Sequence, residues 1–343
     1  MYKILNIVYH SSDLFAPVLG SSMASVFENN KSMEEIHIYV FENPLSDENK
    51  AKLISLSEKY SRNVHFIKMP DVNADQKLGL KAVKDGWFFN SYMKLFLDDY
   101  LPSTLERVLY LDSDVLVVDD LTELINIDMK GCCAAGVIDA LGEKYYKLLS
   151  LNEDARYCNS GVILEDLTVW RKMNIGDRIR RYSKENGGYV FFMEQTAFNA
   201  VLQGEIKILH PKYNTYSMMQ WMTYEEICKL RKPERFYTKQ EIEEAVRKPA
   251  IIHLTNSFLI TNRAWYENTN HPERDRYRYY KSLTPWKDEP GFPDNRDGKK
   301  KLIQKIVDMT PRSVLLPMVE LVYNNWRVNK IQILIDKYRK ETN

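Results

Sequence analysis

The first seventy residues alternate between two patterns. "KILNIVYH" (Lys3–His10), "EEIHIYVFE" (Glu34–Glu42) and "NVHFIKM" (Asn63–Met69) are short runs rich in Ile, Val, Phe and Tyr. Between them, "FAPVLGSSMASVFENN" and "SDENKAKLISLSEKYS" have helical spacing. The second starts on a Ser46 cap and carries Leu53, Leu56 and Tyr60 on one face. Strands joined through helices pair in parallel, because a parallel pair needs a long crossover. The β-α-β-α-β order therefore predicts an α/β fold: a single open, mostly parallel sheet with helices on both faces. Small residues at Gly20, Ser21 and Ser22 let the first helix lie close on that sheet.

The alternation continues. "GWFFNSYMKLFLDDYLP" predicts an amphipathic helix ending near Pro102. "CCAAGVID", "YCNSGVILED", "EIKILHP" and "PAIIHLT" read as later strands, with helices around Trp170–Lys184 and Glu194–Leu202. The segment Thr284–Gly298 holds three prolines and many charges and reads as a linker. The expected division is a main α/β domain over 1–283, a linker over 284–298 and a basic, helical tail over 299–343.

Most informative chemically is "VLYLDSDVLVVDD" (Val108–Asp120), where two strand-like apolar runs flank Asp112 and Asp114. In open parallel sheets ligands bind beyond the carboxyl ends of strands, and side chains two apart in extended chain share a side. Two carboxylates there suit a hard divalent cation. A polar turn or a helix cap is the plainer alternative.

Composition narrows the classes. A net charge of +1 argues against nucleic acid as partner. From Lys299 onward, however, ten Lys and Arg stand against four Asp and Glu, a local +6 that leaves −5 for the rest. Cys132, Cys133, Cys158 and Cys228 lack metal-ligand spacing and read as reduced thiols in a reducing, cytoplasmic compartment. The opening run is too short for a secretory signal, and no stretch suits a membrane span.

Five motifs in order, "RVLYLDSDVLVVDDLTEL", "GVID", "YCNSGVILEDLTVWR", "EQTAFN" and "IIHLT…NRAW", resemble the retaining glycosyltransferases of family 8. That family includes bacterial lipopolysaccharide galactosyl- and glucosyltransferases and glycogenin. The resemblance implies a GT-A type nucleotide-diphospho-sugar transferase fold. It also implies a UDP-galactose or UDP-glucose donor, a glycan or lipid-linked glycan acceptor, and manganese, with magnesium as the alternative. Asp112, Asp114 and His253 match the metal ligands. Gln195, Glu194 and Asp139 match residues around the reacting sugar. Asn159, Ser160 and Gly161 match a turn beside it, and Ser113 lies within the D-x-D turn at the donor. Tyr9, His10 and Asp13 fall in the uridine-binding segment. Lys94 stands where an arginine is usual. Arg263 and Trp265 follow the histidine, with Asn256 for a glycine and Ala264 for a proline.

Two other classes compete. A nucleotidyltransferase would want a Gly-rich basic loop after the first strand, which "VYHSSDLFAPVLG" is not. A non-catalytic UDP-sugar-binding module would have no need of Gln195 beside intact metal ligands. The tail offers Leu302, Ile303, Ile306 and Val307 on one expected face, breaks at Pro311 and Pro317, then repeats helical spacing from Val328 to Ile335 with Trp326 at the edge. Such basic amphipathic helices bind anionic membranes, here the inner face of the cell membrane, or else dock on protein.

Overall fold

A computed structural model describes residues 2–68, 91–186, 190–233, 235–256 and 262–340. Its opening is the predicted alternation: β1 (Ile4–Ser11), α1 (Ala16–Asn29), β2 (Glu35–Glu42), α2 (Asp47–Lys59) and β3 (Asn63–Lys68). Ser46 caps α2, accepting from the Asn49 N–H at 3.3 Å. Then come β4 (Arg107–Leu111), β5 (Val115–Val117), α3 (Thr122–Ile125), β6 (Ala134–Ile138), α4 (Glu143–Leu148) and β7 (Cys158–Asp166). Beyond these lie α5 (Leu167–Lys172), α6 (Ile175–Glu185), α7 (Met193–Val201), β8 (Ile206–Ile208), β9 (Thr215–Tyr216) and α8 (Ser217–Trp221). α9 (Tyr224–Arg231), α10 (Lys239–Arg247), β10 (Ile251–His253) and α11 (Arg274–Ser282) follow, and α12 (Gly298–Met309), α13 (Arg312–Leu321) and α14 (Arg327–Lys340) form the tail.

Seven strands form the main sheet in the order β3-β2-β1-β4-β7-β6-β8. All run parallel except β7, which is antiparallel to both β4 and β6. Apolar side chains on successive residues go to opposite faces: Leu109 and Leu111 join one core, Val108 and Tyr110 the other. The sheet is buried on both sides, as continuous apolar runs require.

The structure departs from the sequence expectations in several places. The sheet is not single: β5, β10 and β9 make a separate three-stranded one. The helix expected up to Pro102 is, from residue 91 on, little more than two 3-10 turns at Met93–Leu95 and Leu97–Asp99; its earlier part lies outside the described residues. The helix around Trp170–Lys184 is two helices, split at Asn174, whose φ of +50° is left-handed. The proline-rich segment is not a free linker. Trp286 within it is 1% exposed and lies on Gly20 of α1, where a Cβ would come within 2.4 Å of the indole. Gly20 thus admits the indole rather than the sheet.

The tail also packs inward. Val307, Leu315, Leu316 and Val319 join the main core, while Tyr323 and Ile331 pack with Leu141 and Tyr145. Leu302, Ile303 and Ile306 point outward, opposite Val307 and Gln304. Pro311 precedes α13 as expected, but Pro317 sits inside it.

Candidate active site

Strand order changes direction at β1, which has β2 on one side and β4 on the other. Crevices form beyond the carboxyl ends of strands at such a point. Asp112–Asp114 begin there, directly after β4. The turn is pinned by Asp112 N–H donating to Gly161 O at 2.8 Å and by Ser113 Oγ donating to His10 O at 2.7 Å. The Ser113 hydroxyl thereby ties the ends of β1 and β4 together.

After the turn, β5 leaves the main sheet and pairs with β10 so that Val115 lies opposite His253, and Leu254 N–H donates to Asp114 O at 2.9 Å. This register delivers the imidazole to the carboxylates. His253 Nε2 is 3.3 Å from Asp114 Oδ1 and 3.7 Å from Asp112 Oδ2. One ligand atom from each of the three falls within 4.8 Å of the others, a group able to hold a metal ion. Two carboxylates and one imidazole fit a divalent cation with positions left for substrate oxygens.

Neighbours hold these ligands in place. His253 Nδ1 lies 3.2 Å from Asn214 Oδ1, which can only accept, so the Nδ1–H faces Asn214 and the Nε2 lone pair faces the acids. Asn214 Nδ2 donates to Asn159 Oδ1 at 2.9 Å, and the same oxygen accepts from Gly161 N–H at 3.0 Å. A Cβ at Gly161 would lie 2.0 Å from His253 Cε1 and 2.9 Å from Asp112 Oδ2, so the cluster itself demands glycine there. Asn214 had no sequence signal: it precedes a two-residue strand.

Lys94 is no surface lysine. It is 4% exposed, donates to Asp112 Oδ1 at 2.9 Å and Ser160 O at 3.1 Å, and lies 3.5 Å from Glu194 Oε1. Burial works to lower its pKa, but Asp112 and Glu194 outweigh this and hold it above the ordinary lysine value. Tyr110 also donates to Asp112, at 2.9 Å. Burial raises Asp114 too, yet His253 and Arg263 outweigh it and keep the carboxyl below its usual range. Arg263 donates from Nη1 to Asp114 Oδ2 at 3.2 Å and to Leu254 O at 2.9 Å.

Beyond Ser160 lies a second group. Gln195 Oε1 accepts from Ser160 N–H at 3.1 Å, while its Nε2 donates to Asp139 Oδ2 at 3.2 Å. Both ends of the amide are therefore oriented by fixed partners. Burial raises the Glu194 carboxyl above its ordinary value, with Lys94 opposing. Phe192 and Met193, immediately before, have φ of +60° and +55°. Consecutive left-handed non-glycine residues store strain, which clusters at functional sites.

The structure does not bring every sequence-predicted residue to this centre. Tyr9 is fully buried, its hydroxyl bonded to Ser22 Oγ at 2.9 Å, so it faces α1 and not a ligand. Trp265 is buried against Phe15 and Tyr277 as part of the core. Asp13 spends its carboxylate on Ser46 and Asn49 at the start of α2, bonds that lower its pKa. His10 does lie beside the cluster; burial and then Lys94 lower its pKa to about 4. Asn256 is exposed and lines a cavity with Asp139 and Gln195.

The chain is similar to known proteins. The family model described as glycosyl transferase family 8 matches residues 6–258. "General stress protein A" of Bacillus subtilis is 28% identical over 290 residues, covering 83% of this chain and 95% of that protein. A lipopolysaccharide 1,2-glucosyltransferase of Escherichia coli K12 is 25% identical over 291 residues, 84% of this chain and 80% of its own length. Among solved structures, the galactosyltransferase LgtC with donor and acceptor sugar analogs superposes with a TM-score of 0.66 at 20% identity, covering 87% of this chain and all of that one. At that identity the likeness speaks for the fold.

Proposed function

This chain belongs to glycosyl transferase family 8, and from that premise we propose that it moves galactose or glucose, with retention, from a UDP-sugar to a glycan or lipid-linked glycan. The observation that carries the reading is the convergence of Asp112, Asp114 and His253 on one point, with Gln195 and Asp139 reached from it through Ser160. Relatives that act on lipopolysaccharide support a hexose donor.

Asp112, Asp114 and His253 would hold a manganese or magnesium ion against the donor diphosphate. Bound there, the ion supplies Lewis-acid charge for the departing UDP. Arg263, anchored on Asp114, adds a fixed cation on the same side. Lys94 ties Asp112 to Glu194, so the phosphate end and the sugar end of the site are held by one side chain. Glu194 and Asn159 face the donor sugar; Glu is one methylene longer than the family's Asp. The Gln195 amide, held at both ends, presents a dipole to an oxocarbenium-like centre. An amide oxygen already accepting a hydrogen bond is a poor nucleophile, which favours electrostatic support over covalent attack. Retention follows when the acceptor hydroxyl approaches on the face that UDP leaves.

Four free cysteines fit a reducing cytoplasm, and an exposed apolar row on α12 flanked by lysines fits contact with the inner face of the cell membrane. The test is UDP release from UDP-galactose and UDP-glucose with and without Mn²⁺. Asp112→Ala and Asp114→Ala should each lower it by at least 100-fold; activity within a few-fold of wild type removes the assignment. Product NMR checks the anomer.

A further inference from the structure

A cavity of about 590 Å³ opens beside Gln195 and Asp139, and none of the three cluster ligands lines it. Its far wall comes from the tail. A π-helical turn (Val322–Trp326) joins α13 to α14 and presents Tyr323 and Trp326 to the cavity, and α14 adds Arg327 and Lys330. Arg231 from α9 and Phe192 from the strained turn face them.

The wall is rich in positive charge. Arg231, Arg327 and Lys330 line the cavity against a single acid, Asp139. Among the described residues no carboxylate forms an ion pair with any of the three cations. They are held by aromatic faces instead. Arg231 lies 4.1 Å from the Tyr323 ring centroid, Arg327 5.1 Å from Phe192 and Lys330 5.0 Å from Trp326. The Nε of Arg231 is buried without a hydrogen-bond partner. A guanidinium stacked on an aromatic ring keeps its edge N–H groups for a planar or tetrahedral anion. Aromatic rings also give a sugar face a stacking surface.

Resting on the glycosyltransferase reading above, we propose that this cavity is the acceptor subsite and that it selects an acceptor sugar bearing an anionic group, phosphoryl or carboxylate. Arg231, Arg327 and Lys330 would grip the anion while Asp139 and Gln195 flank the hydroxyl to be glycosylated. The tail is then part of the specificity machinery.

The full-length chain, loaded with UDP and Mn²⁺, is titrated calorimetrically with galactose, galacturonic acid, galactose 6-phosphate and glycerol 3-phosphate. The two acidic sugars should bind at least 10-fold more tightly than galactose. Lys330→Glu, a change at an exposed position, should erase that preference with the thermal midpoint unchanged; Arg327→Gln should act in the same direction. Equal affinity for neutral and acidic sugars overturns the proposal, as does a preference that survives both substitutions. Glycerol 3-phosphate binding as tightly as galactose 6-phosphate would make the cavity a headgroup site and likewise overturn it. Because these titrations need no turnover, failure of UDP release from every UDP-hexose would count against the glycosyltransferase reading alone.

Discussion

A methyl group at Gly161 would sit in the space of the His253 ring. Gly161→Ala should therefore push the imidazole away from Asp112 and Asp114 and lower UDP release by at least 100-fold, about 3 kcal/mol of transition-state stabilisation, while far-UV circular dichroism stays unchanged. Asn214→Ala leaves the ligands but frees the imidazole to rotate. Losing such an outer partner costs about 10- to 100-fold in metal affinity, readable by calorimetric titration with Mn²⁺ in the presence of UDP. A different histidine sets an acid limit. His271 is buried, its Nδ1 accepting from Glu273 N–H at 3.1 Å and its Nε2 lying 3.3 Å from Ser217 Oγ. Burial, then Arg263, lowers its pKa to about 4. Between about pH 6.5 and 4 the unfolded chain takes up this proton and the folded chain does not, so stability falls as pH drops through that window. The loss is on the order of 3 kcal/mol. His271→Asn, which keeps an acceptor for Glu273, should flatten the fall in urea midpoint between pH 7 and 4.5; an unchanged slope would discard this cause. Asp112, Asp114 and His253 were legible through the order of the family's motifs, since D-x-D alone reads equally well as a polar turn. Asn214 was not, since an asparagine that serves only another side chain leaves no pattern of its own.

Elements were legible where periodicity is strong and both neighbours are local. β1 to β3 and their helices follow from it because each apolar run meets its partner through one crossover. That β5 leaves the sheet of β4 was not legible: "VLYL" and "VLVV" are both short apolar strand-forming runs, and only pairing with β10, more than 130 residues later, decides which sheet takes the second. Prolines and charges made Thr284–Gly298 look like a linker, but one apolar residue in it outweighs them. Trp286 fills the notch at Gly20, with its Nε1 donating to Asn49 Oδ1 at 3.2 Å. Trp286→Ala should cost about 3–5 kcal/mol, the usual penalty for emptying such a site. Gly20→Ala should destabilise the native chain by overpacking, yet cost much less in the Trp286→Ala background, where the space is free. Urea unfolding of the two single variants and the double variant gives the coupling directly. Additive effects would mean that the indole and the glycine do not meet.

At the scale of the whole molecule the tail has two faces with different uses. Its inner face, with Val307, Leu315, Leu316, Val319, Tyr323 and Ile331, belongs to the core. Truncation before Lys299, which a free tail would tolerate, should therefore leave an unstable chain and says nothing about membranes. Its outer face is anomalous. Ten of the sixteen exposed large apolar side chains among the described residues lie between Leu302 and Ile333. On α12, Leu302, Ile303, Ile306 and Met309 form a stripe 50–74% exposed, with Lys299, Lys300, Lys301 and Lys305 exposed beside it. Isolated exposed apolar residues are ordinary, but a continuous stripe marks a contact surface. A second copy related by a two-fold axis would bring the same lysines together, whereas an anionic bilayer takes both the stripe and the charge. Each lysine near such a surface contributes about 1 kcal/mol at low salt, and four apolar side chains entering the interface add to that. The full-length chain should co-sediment with vesicles containing phosphatidylglycerol and not with neutral phosphatidylcholine, and 0.5 M salt should release much of it as screening shortens the Debye length. Replacing Leu302, Ile303, Ile306 and Met309 by serine should abolish binding with the thermal midpoint unchanged or raised, because none of the four supports the core. If the chain ignores anionic vesicles at low salt, and the serine variant instead converts a dimer to a monomer in analytical ultracentrifugation, the stripe is a subunit interface and the membrane assignment falls.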